Sequence, residues 1–197
     1  EIEIPEGVIS IQNSAFAHFE KLKKVILPST LRDFGWGYIP GDPNADVPFR
    51  DELFSLSSPF MNTKAKSLVR LELRFSSVLW GDKNNALISA RRWKERRTTT
   101  WHLDPLKNKT RKIIDRSYED RYNDPGSPMM EKNMFGRSVL ALVDGRKIFM
   151  SGNGASPDGD LPFVDEYDIT TKKSKRLWRC EAPYYESGIS IIDQHDG

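Results

Sequence analysis

The chain has 197 residues, 29% charged and 38% hydrophobic, with a formal net charge of +2. That is the balance of a folded protein, not a disordered one, and it gives no electrostatic drive towards nucleic acid or an anionic membrane. A single cysteine, Cys180, excludes an intrachain disulfide and a cysteine-based metal site, and no apolar run approaches the roughly 20 residues of a membrane helix.

The first segment reads IEIPEGVISIQNSAFAHFEKLKKVILPSTLRDFG. Ile4-Pro5-Glu6-Gly7-Val8 returns 23 positions later as Leu27-Pro28-Ser29-Thr30-Leu31. Ala15, Phe16 and Leu22 sit between them as expected core positions. The frame resembles BspA-like leucine-rich repeats, whose periods are about 20 to 29 residues. His18 and Phe19 stand where that pattern has a small residue or cysteine, and His18 is read as packed or surface rather than as a ligand. One repeat and the start of a second cannot bury the faces of a solenoid. The chain starts at Glu1 without a visible signal peptide and reads as beginning partway through a longer protein.

Gly35 to Pro48, rich in Gly, Pro and Asp, reads as a linker or long turn. The expected division is 1–35 leucine-rich-repeat fragment, 36–47 linker and 48–197 partial β-propeller. Short strands with alternating apolar residues then follow: ELFSL, SLVRLELRF, SVLWG, NALISARRW, TTTWHLD, RKIIDRS, SVLALV, RKIFMSG, FVDEYDI, SKRLWRC and ISIID. GDKNN, DPLKNK, DPGSP, VDGRK and ITTKKS supply the turns, and no helix of more than a turn or two is evident after residue 60. The basic runs RRWKERR and TTKKSKR, interrupted by Trp, Glu, Thr and Ser, read as solvated faces.

An internal comparison narrows this all-β reading. Thr98 to Ser117 overlies Pro162 to Glu181, with Trp101 near Asp165 and Leu103-Asp104 on Tyr167-Asp168. Each half is a strand, an Asp, a polar turn and a basic strand, which fits the outer pair of a propeller blade. SVLWGDKNNALIS and SVLALVDGRKIFMS supply the inner strands. The period is about 60 residues, longer than the usual ~40–50, because GNGASPDGDLP is inserted. The expectation is an incomplete propeller, about two full blades plus partial ones, with SYEDRYNDPGSPMM (Ser117 to Met130) as the charged connector between them.

WGDKNNALISARRWKERRTTTWHLDP, IIDRSYEDRYNDPGSPMM, SGNGASPDGDLPFVDEYDITTKKSKRLWR and APYYES resemble the propeller of prolyl oligopeptidase family serine peptidases, in the glutamyl endopeptidase-like branch. The resemblance covers about residues 48–197. It implies a parent enzyme with an α/β-hydrolase domain carrying a Ser-Asp-His triad, and a propeller that restricts access to short or unstructured peptides. It implies cleavage after acidic residues, and weakly a periplasmic or extracellular bacterial setting; the residues themselves leave the compartment open.

The triad is not legible in this chain. No Gly-x-Ser-x-Gly occurs, and Gly152 to Ser156 (GNGAS) has the wrong spacing. His102 reads as a strand-surface residue and His195 as heading into a further blade. Ser156 to Asp160 lacks the length and final Glu of an EF-hand loop, and no phosphate loop is present. Glu119, Asp120 and Asp124 are placed as partners of Arg116 and Arg121 that fix the connector, rather than as an acid/base pair. Arg96, Arg97 and Arg121 are candidates to line a peptide route. No residue is assigned a catalytic, cofactor-binding or metal-binding role.

The expected function is therefore a non-catalytic propeller portion that gates peptide access to a hydrolase domain absent from this chain, with no cofactor. The alternative is a leucine-rich-repeat and propeller module for adhesion or protein interaction, or a misjoined or fragmentary reading frame at residues 35–48. The partner is peptide substrate, with neither nucleic acid nor membrane, and unpaired edge strands make self-association an expected behaviour.

Overall fold

The computed structural model describes residues 47–55, 65–186 and 190, and nearer the start residues 2, 3, 5, 10, 11, 25, 26, 33 and 34. The chain divides into two compact units, Glu1–Val47 and Pro48–Gly197. In the first unit, β1 (Ile2–Glu3) pairs in parallel with β3 (Val25–Ile26), and β2 (Ser10–Ile11) with β4 (Asp33–Phe34). The partners are Ile2 with Val25, Glu3 with Ile26, Ser10 with Asp33 and Ile11 with Phe34, each 23 positions apart. That offset equals the period of the sequence repeat. Ala15, Phe16, His18, Leu22, Leu27 to Leu31 and linker residues 36–46 lie outside the described residues.

In the second unit none of the described residues is helical. β5 (Asp51–Ser55) and β6 (Lys66–Leu71) form a two-stranded first sheet. β7 (Arg74–Trp80), β8 (Ala86–Arg92), β9 (Arg97–Asp104) and β10 (Lys109–Ser117) form a four-stranded antiparallel meander, the second sheet. Then come β11 (Ser127–Pro128), β12 (Met130–Lys132), β13 (Ser138–Leu140), β14 (Leu142–Val143), β15 (Lys147–Gly152), β16 (Ala155–Ser156), β17 (Gly159–Asp160), β18 (Phe163–Asp168) and β19 (Lys173–Arg179). The third sheet runs β11–β15–β18–β19, with β14 also against β15, while β12–β13 and β16–β17 are separate small hairpins.

Several predicted boundaries move. SLVRLELRF is not one strand: the chain bends at Glu72-Leu73, so β6 stays in the first sheet and Arg74-Phe75 joins SSVLW in the second. Asp51 anchors the bend, accepting from the Phe75 amide at 2.6 Å and pairing with Arg74 at 3.1 Å. The serines that look like a break are absorbed in the ladder as an irregularity between Phe75 and Ser77. SVLALV also divides, with β13 pairing β12 and β14 pairing β15. The connector ends at Gly126, because Ser127 and Pro128 already pair with Ser151 and Met150. The strand expected at ISIID, Ser190 apart, and His195 fall outside the described residues.

The internal repeat holds residue by residue. Trp101 pairs with Lys112 and Thr100 with Ile114, skipping Ile113; Asp165 pairs with Arg176 and Val164 with Trp178, skipping Leu177. Both hairpins close from Asp to Lys, Asp104 with Lys109 and Asp168 with Lys173. The residue before each Lys, Asn108 at φ 50° and Lys172 at φ 60°, is left-handed. Asp104 accepts from the Lys107 amide, and Asp168 from those of Thr170 and Thr171. The Asp therefore recurs because its carboxylate caps the amides of the turn that follows it.

The core explains the composition of β8. Ala86, Ile88 and Ala90 point into one buried cluster with Val69, Leu71, Leu73 and Leu103. Leu87, on the opposite face, joins Ile113, Leu140, Ile148, Met150, Tyr167 and Ile169. The second sheet is thus covered on both faces, so β8 reads as a near-continuous apolar run.

Polar groups tie the second sheet to the third. Tyr167 Oη donates to the carbonyl of Ile113 at 3.2 Å, satisfying the unpaired residue of the β10 bulge. Arg111 donates to the carbonyls of Thr170 at 2.9 Å and Ile169 at 2.5 Å. Asn85, buried, donates from Nδ2 to Asp82 at 2.9 Å and to the Gly145 carbonyl at 3.0 Å. Its Oδ1 lies 2.9 Å from His102 Nε2. His102 is therefore half-buried and bonded, not the surface residue the strand pattern implied. Burial, then the nearby Arg111 charge, push its pKa below the ordinary value.

Tyr167→Phe should strand the Ile113 carbonyl and cost about 1–3 kcal/mol, read as a lowered melting temperature; an unchanged midpoint would show that water or another group satisfies that carbonyl. For His102 the folded pKa lies below the unfolded one, so the unfolded chain takes up the proton first. Stability is full above the unfolded value, about 6.5, and declines as pH falls from there through the folded pKa. Denaturant melts at pH 7 and pH 5 should differ more for the parent chain than for His102→Gln, and equal differences would remove His102 as the cause.

Candidate functional site

Hairpin connections alternate between two ends of the stacked sheets. One end carries tight turns: 81–85, 105–108, 144–146 and 169–172. Its side chains serve the junctions just described, together with an Arg146–Asp168 pair at 3.6 Å. Asp144 at φ 52° and Gly145 at φ 63° supply the two left-handed residues of a type I′ turn.

The opposite end carries the four-residue β8–β9 turn 93–96 and three longer segments: the crossing 118–126, the insertion 153–162 and residues 180–186. Bonds link them in sequence. The Tyr118 amide donates to the Arg96 carbonyl at 2.8 Å, and Arg96 Nε pairs with Glu119 at 3.2 Å. Arg121 Nη2 lies 3.5 Å from both oxygens of Asp160. The Cys180 amide donates to the Pro162 carbonyl at 2.7 Å. Between crossing and insertion lies a cleft of about 230 Å³, lined by Glu119, Asp120, Arg121, Tyr122, Ala155, Ser156 and Asp160.

The crossing is held from within as well. Arg116, largely buried, donates to the Asp120 carbonyl and lies 3.5 Å from Asp124. The Asp120 carboxylate accepts from the Asn123 side chain at 2.9 Å and its amide at 3.2 Å, which holds its pKa below the usual range. Asp124 accepts from the Gly126 amide at 3.0 Å. The sequence expectation that Glu119, Asp120 and Asp124 pair with Arg116 and Arg121 is corrected in detail. Arg116 takes Asp124 and a carbonyl, Glu119 goes to Arg96, and Arg121 reaches the insertion.

Arg96, Arg97 and Arg121 do not form a shared cationic lining, since each holds a carboxylate. Arg97 grips Asp115 through two nitrogens at 2.7 and 2.6 Å and reaches Glu72 at 3.2 Å. The Arg97 bond is the first cause of the lowered Asp115 pKa. Arg96 also stacks over Trp93 at 4.0 Å and donates to Tyr118 Oη at 3.3 Å, while Arg91 lies 3.8 Å over the Tyr118 ring. Arg96, ahead of Arg91, holds the Tyr118 hydroxyl below its ordinary pKa.

Ser156 is spent on its turn: its hydroxyl donates to the Gly159 carbonyl at 2.7 Å and accepts from the Asp158 amide at 3.3 Å. His102 bonds Asn85, not a serine. Among the described residues no group of three or more His, Cys, Asp or Glu could hold a metal. The Arg121–Asp160 and Arg96–Glu119 pairs escape sequence reasoning, because nothing local couples residues so far apart in the chain.

Gly126 fixes the end of the crossing. At φ 81°, a Cβ there would meet the Ser151 carbonyl oxygen at 2.3 Å. Gly136, at φ 71°, has nothing within 4 Å. Gly136→Ala should therefore cost only the backbone term, about 1–2 kcal/mol, while Gly126→Ala adds a steric penalty of roughly 1–3 kcal/mol. Equal losses in parallel chemical melts would show that the crossing moves aside without cost.

No family model matches the chain. It is 35% identical over 166 residues to "Probable glutamyl endopeptidase, chloroplastic" of Oryza sativa subsp. japonica, covering 80% of this chain and 18% of that protein. It is 34% identical over 167 residues to the protein of the same name from Arabidopsis thaliana, covering 80% and 17%. Among solved structures, TolB from Acinetobacter baumannii shares 16% identity at a TM-score of 0.36, over 64% of this chain and 26% of that one. The chain thus spans less than a fifth of the length of the curated relatives it matches, and over four-fifths of its own length it is similar to proteins named as probable glutamyl endopeptidases.

Proposed function

We propose that this chain is a non-catalytic β-propeller portion of a glutamyl endopeptidase-like serine peptidase, gating peptide access to a hydrolase domain that supplies the catalysis. The observation that carries the reading is the similarity to the two probable glutamyl endopeptidases across 80% of the chain. The propeller component is supported by the repeated sheet: two antiparallel meanders stacked face to face, with outer hairpins in matching register down to the skipped residue. Neighbouring blades of a propeller stack in this way. Leu177 occupies the place of Ile113 in the repeat, yet it is 46% exposed where Ile113 is 7% exposed. A further blade against the third sheet would cover it.

The side chains fit a non-catalytic role. Ser156 is held in its turn, His102 in the inter-sheet junction, and the acids of the crossing by arginines and amides. A second reading, an interaction module built on leucine-rich repeats, is favoured by the parallel pairs at a 23-residue offset, since stacked repeats pair equivalent positions this way.

The test is hydrolysis of a fluorogenic peptide with Glu before the scissile bond by the 197-residue chain, with and without a serine-directed phosphonate. No turnover above buffer is expected. Phosphonate-sensitive turnover would overturn the non-catalytic assignment. The source transcript separates the two readings: an in-frame hydrolase with Gly-x-Ser-x-Gly after Gly197 fits the first, and a stop or more repeats fits the second.

A further inference from the structure

The edge of the third sheet that lies away from β19 is one strand in two pieces. β15 pairs with Ser127 and Pro128 of β11, accepts from the Met129 amide at the Phe149 carbonyl at 2.8 Å, and continues with Leu142 and Val143 of β14. The chain leaves this line after Met129 and returns at Ala141, whose amide donates to the Met129 carbonyl at 3.1 Å. The β12–β13 hairpin is looped out between them. β7, the corresponding edge of the second sheet, runs from Arg74 to Trp80 with no such excursion. The hairpin is therefore an addition to the repeated sheet and not part of its frame.

The excursion is braced at both ends. At its root, Leu140 is buried in the cluster with Leu87 and Ile148, and β13 lies beside β7. Gly81, just beyond β7, leaves room for this: a Cβ there would come within 2.8 Å of Leu142 Cδ1 and 3.4 Å of Leu140 Cβ. At the tip, Asn133 Oδ1 accepts from the Phe135 and Arg137 amides, each at 3.0 Å, and the Asn133 carbonyl accepts from the Gly136 amide at 2.8 Å. The polar groups of the turn are thus spent on the turn itself. Met134, 91% exposed, and Phe135, 77%, are left as the most exposed large hydrophobic residues among those described. The strand from Met129 to Asn133 carries this tip about 13 Å along its length.

We propose that this hairpin is the filter of the peptide route, a fixed apolar plug whose Met134 and Phe135 narrow the passage, admitting a single extended strand and holding back wider polypeptide. The inference rests on the propeller reading above, in which the inner edges of the blades surround a central channel. The crossing 118–126 carries the chain from the outer hairpin of the second sheet to the β11–β14 edge of the third, so that edge and β7 are the inner ones. A hairpin looped out of the inner edge stands in the channel. Its bracing makes it a standing obstacle and not a swinging lid. The two apolar side chains at its tip offer a passing backbone neither charge nor hydrogen bond, so they restrict width without retaining the peptide.

The test uses the full-length protein encoded by the source transcript and one fluorogenic peptide of about a dozen residues in two forms: linear, with its terminal cysteines alkylated, and closed by their disulfide into a ring that sets two strands abreast, about 5 Å wider. Both forms carry the same Glu before the same scissile bond, so the change in their kcat/KM ratio from parent to variant reports access and not chemistry. The parent should favour the linear form. The double variant M134S/F135S should raise kcat/KM for the ring about fivefold and leave the linear form unchanged, the scale of one partly buried apolar side chain. A second variant replaces residues 132–138 with Asn-Gly, a two-residue turn that keeps Glu131 opposite Val139, and should shift the ratio in the same direction. Melting curves of the 197-residue chain carrying M134S/F135S should match the parent, since both side chains are exposed. A parent that cleaves both forms, with a ratio that neither variant moves, overturns the filter and leaves the peptidase reading standing. So does a variant that speeds both forms equally. A parent that cleaves neither form overturns that reading, and the filter with it.

Discussion

The second unit depends on one strand buried from both sides. β8 sends Ala86, Ile88 and Ala90 to one core and Leu87 to the other. Two small side chains on one face let the first sheet approach closely, while leucine on the other meets Ile148, Met150 and Tyr167 of the third. The polar bridges act within that frame. Tyr167, Asn85 and Arg111 each satisfy a carbonyl of another strand or turn, which orients sheets that apolar burial alone would leave free to slide.

The two ends of the stack have divided their work. At the tight-turn end, Asp104, Asp168, Asn85 and Gly145 are spent on turn geometry and on joining sheets. At the other end, arginines join segments that no ladder connects: Arg96 to the crossing, Arg116 within it, Arg121 to the insertion. Charge-assisted bonds suit this task because they hold irregular backbone without requiring it to become a strand. The result is a fixed rim of irregular segments held on a rigid frame.

The repeat illustrates how a sequence pattern acquires physical meaning. Trp101 and Asp165, and Leu103 and Tyr167, share little chemistry, yet occupy equivalent ladder positions, while the skipped residues, Ile113 and Leu177, are both aliphatic. What recurs is the frame: an Asp that caps its turn, a left-handed residue before Lys, and one skipped residue in the basic strand. Side chains are then exchanged within it. Leu103 fills the first core, whereas Tyr167 in the same place reaches back to a carbonyl of the previous sheet.

The all-β class, the hairpins and their order, the 23-residue offset at the start and the role of the stretch from Ser117 as a connector were legible in the sequence, because each follows from local periodicity or turn chemistry, although its end at Gly126 rather than Met130 was not. Asp104, Asp168 and Asp144-Gly145 mark their own turns, and alternation marks the strands. What only the tertiary structure decided is which pieces join which sheet and which charges meet. The bend at Glu72-Leu73 reassigned Arg74 and Phe75, because an Asp51 carboxylate from a distant strand fixes it. His102 looked like a surface residue, since alternation cannot reveal that Asn85 and a neighbouring sheet cover it. Arg121 could not be matched to Asp160, or Arg96 to Glu119, from spacing alone. Ion pairs between loops depend on how sheets stack, and that stacking is set by long-range burial, which no local segment encodes.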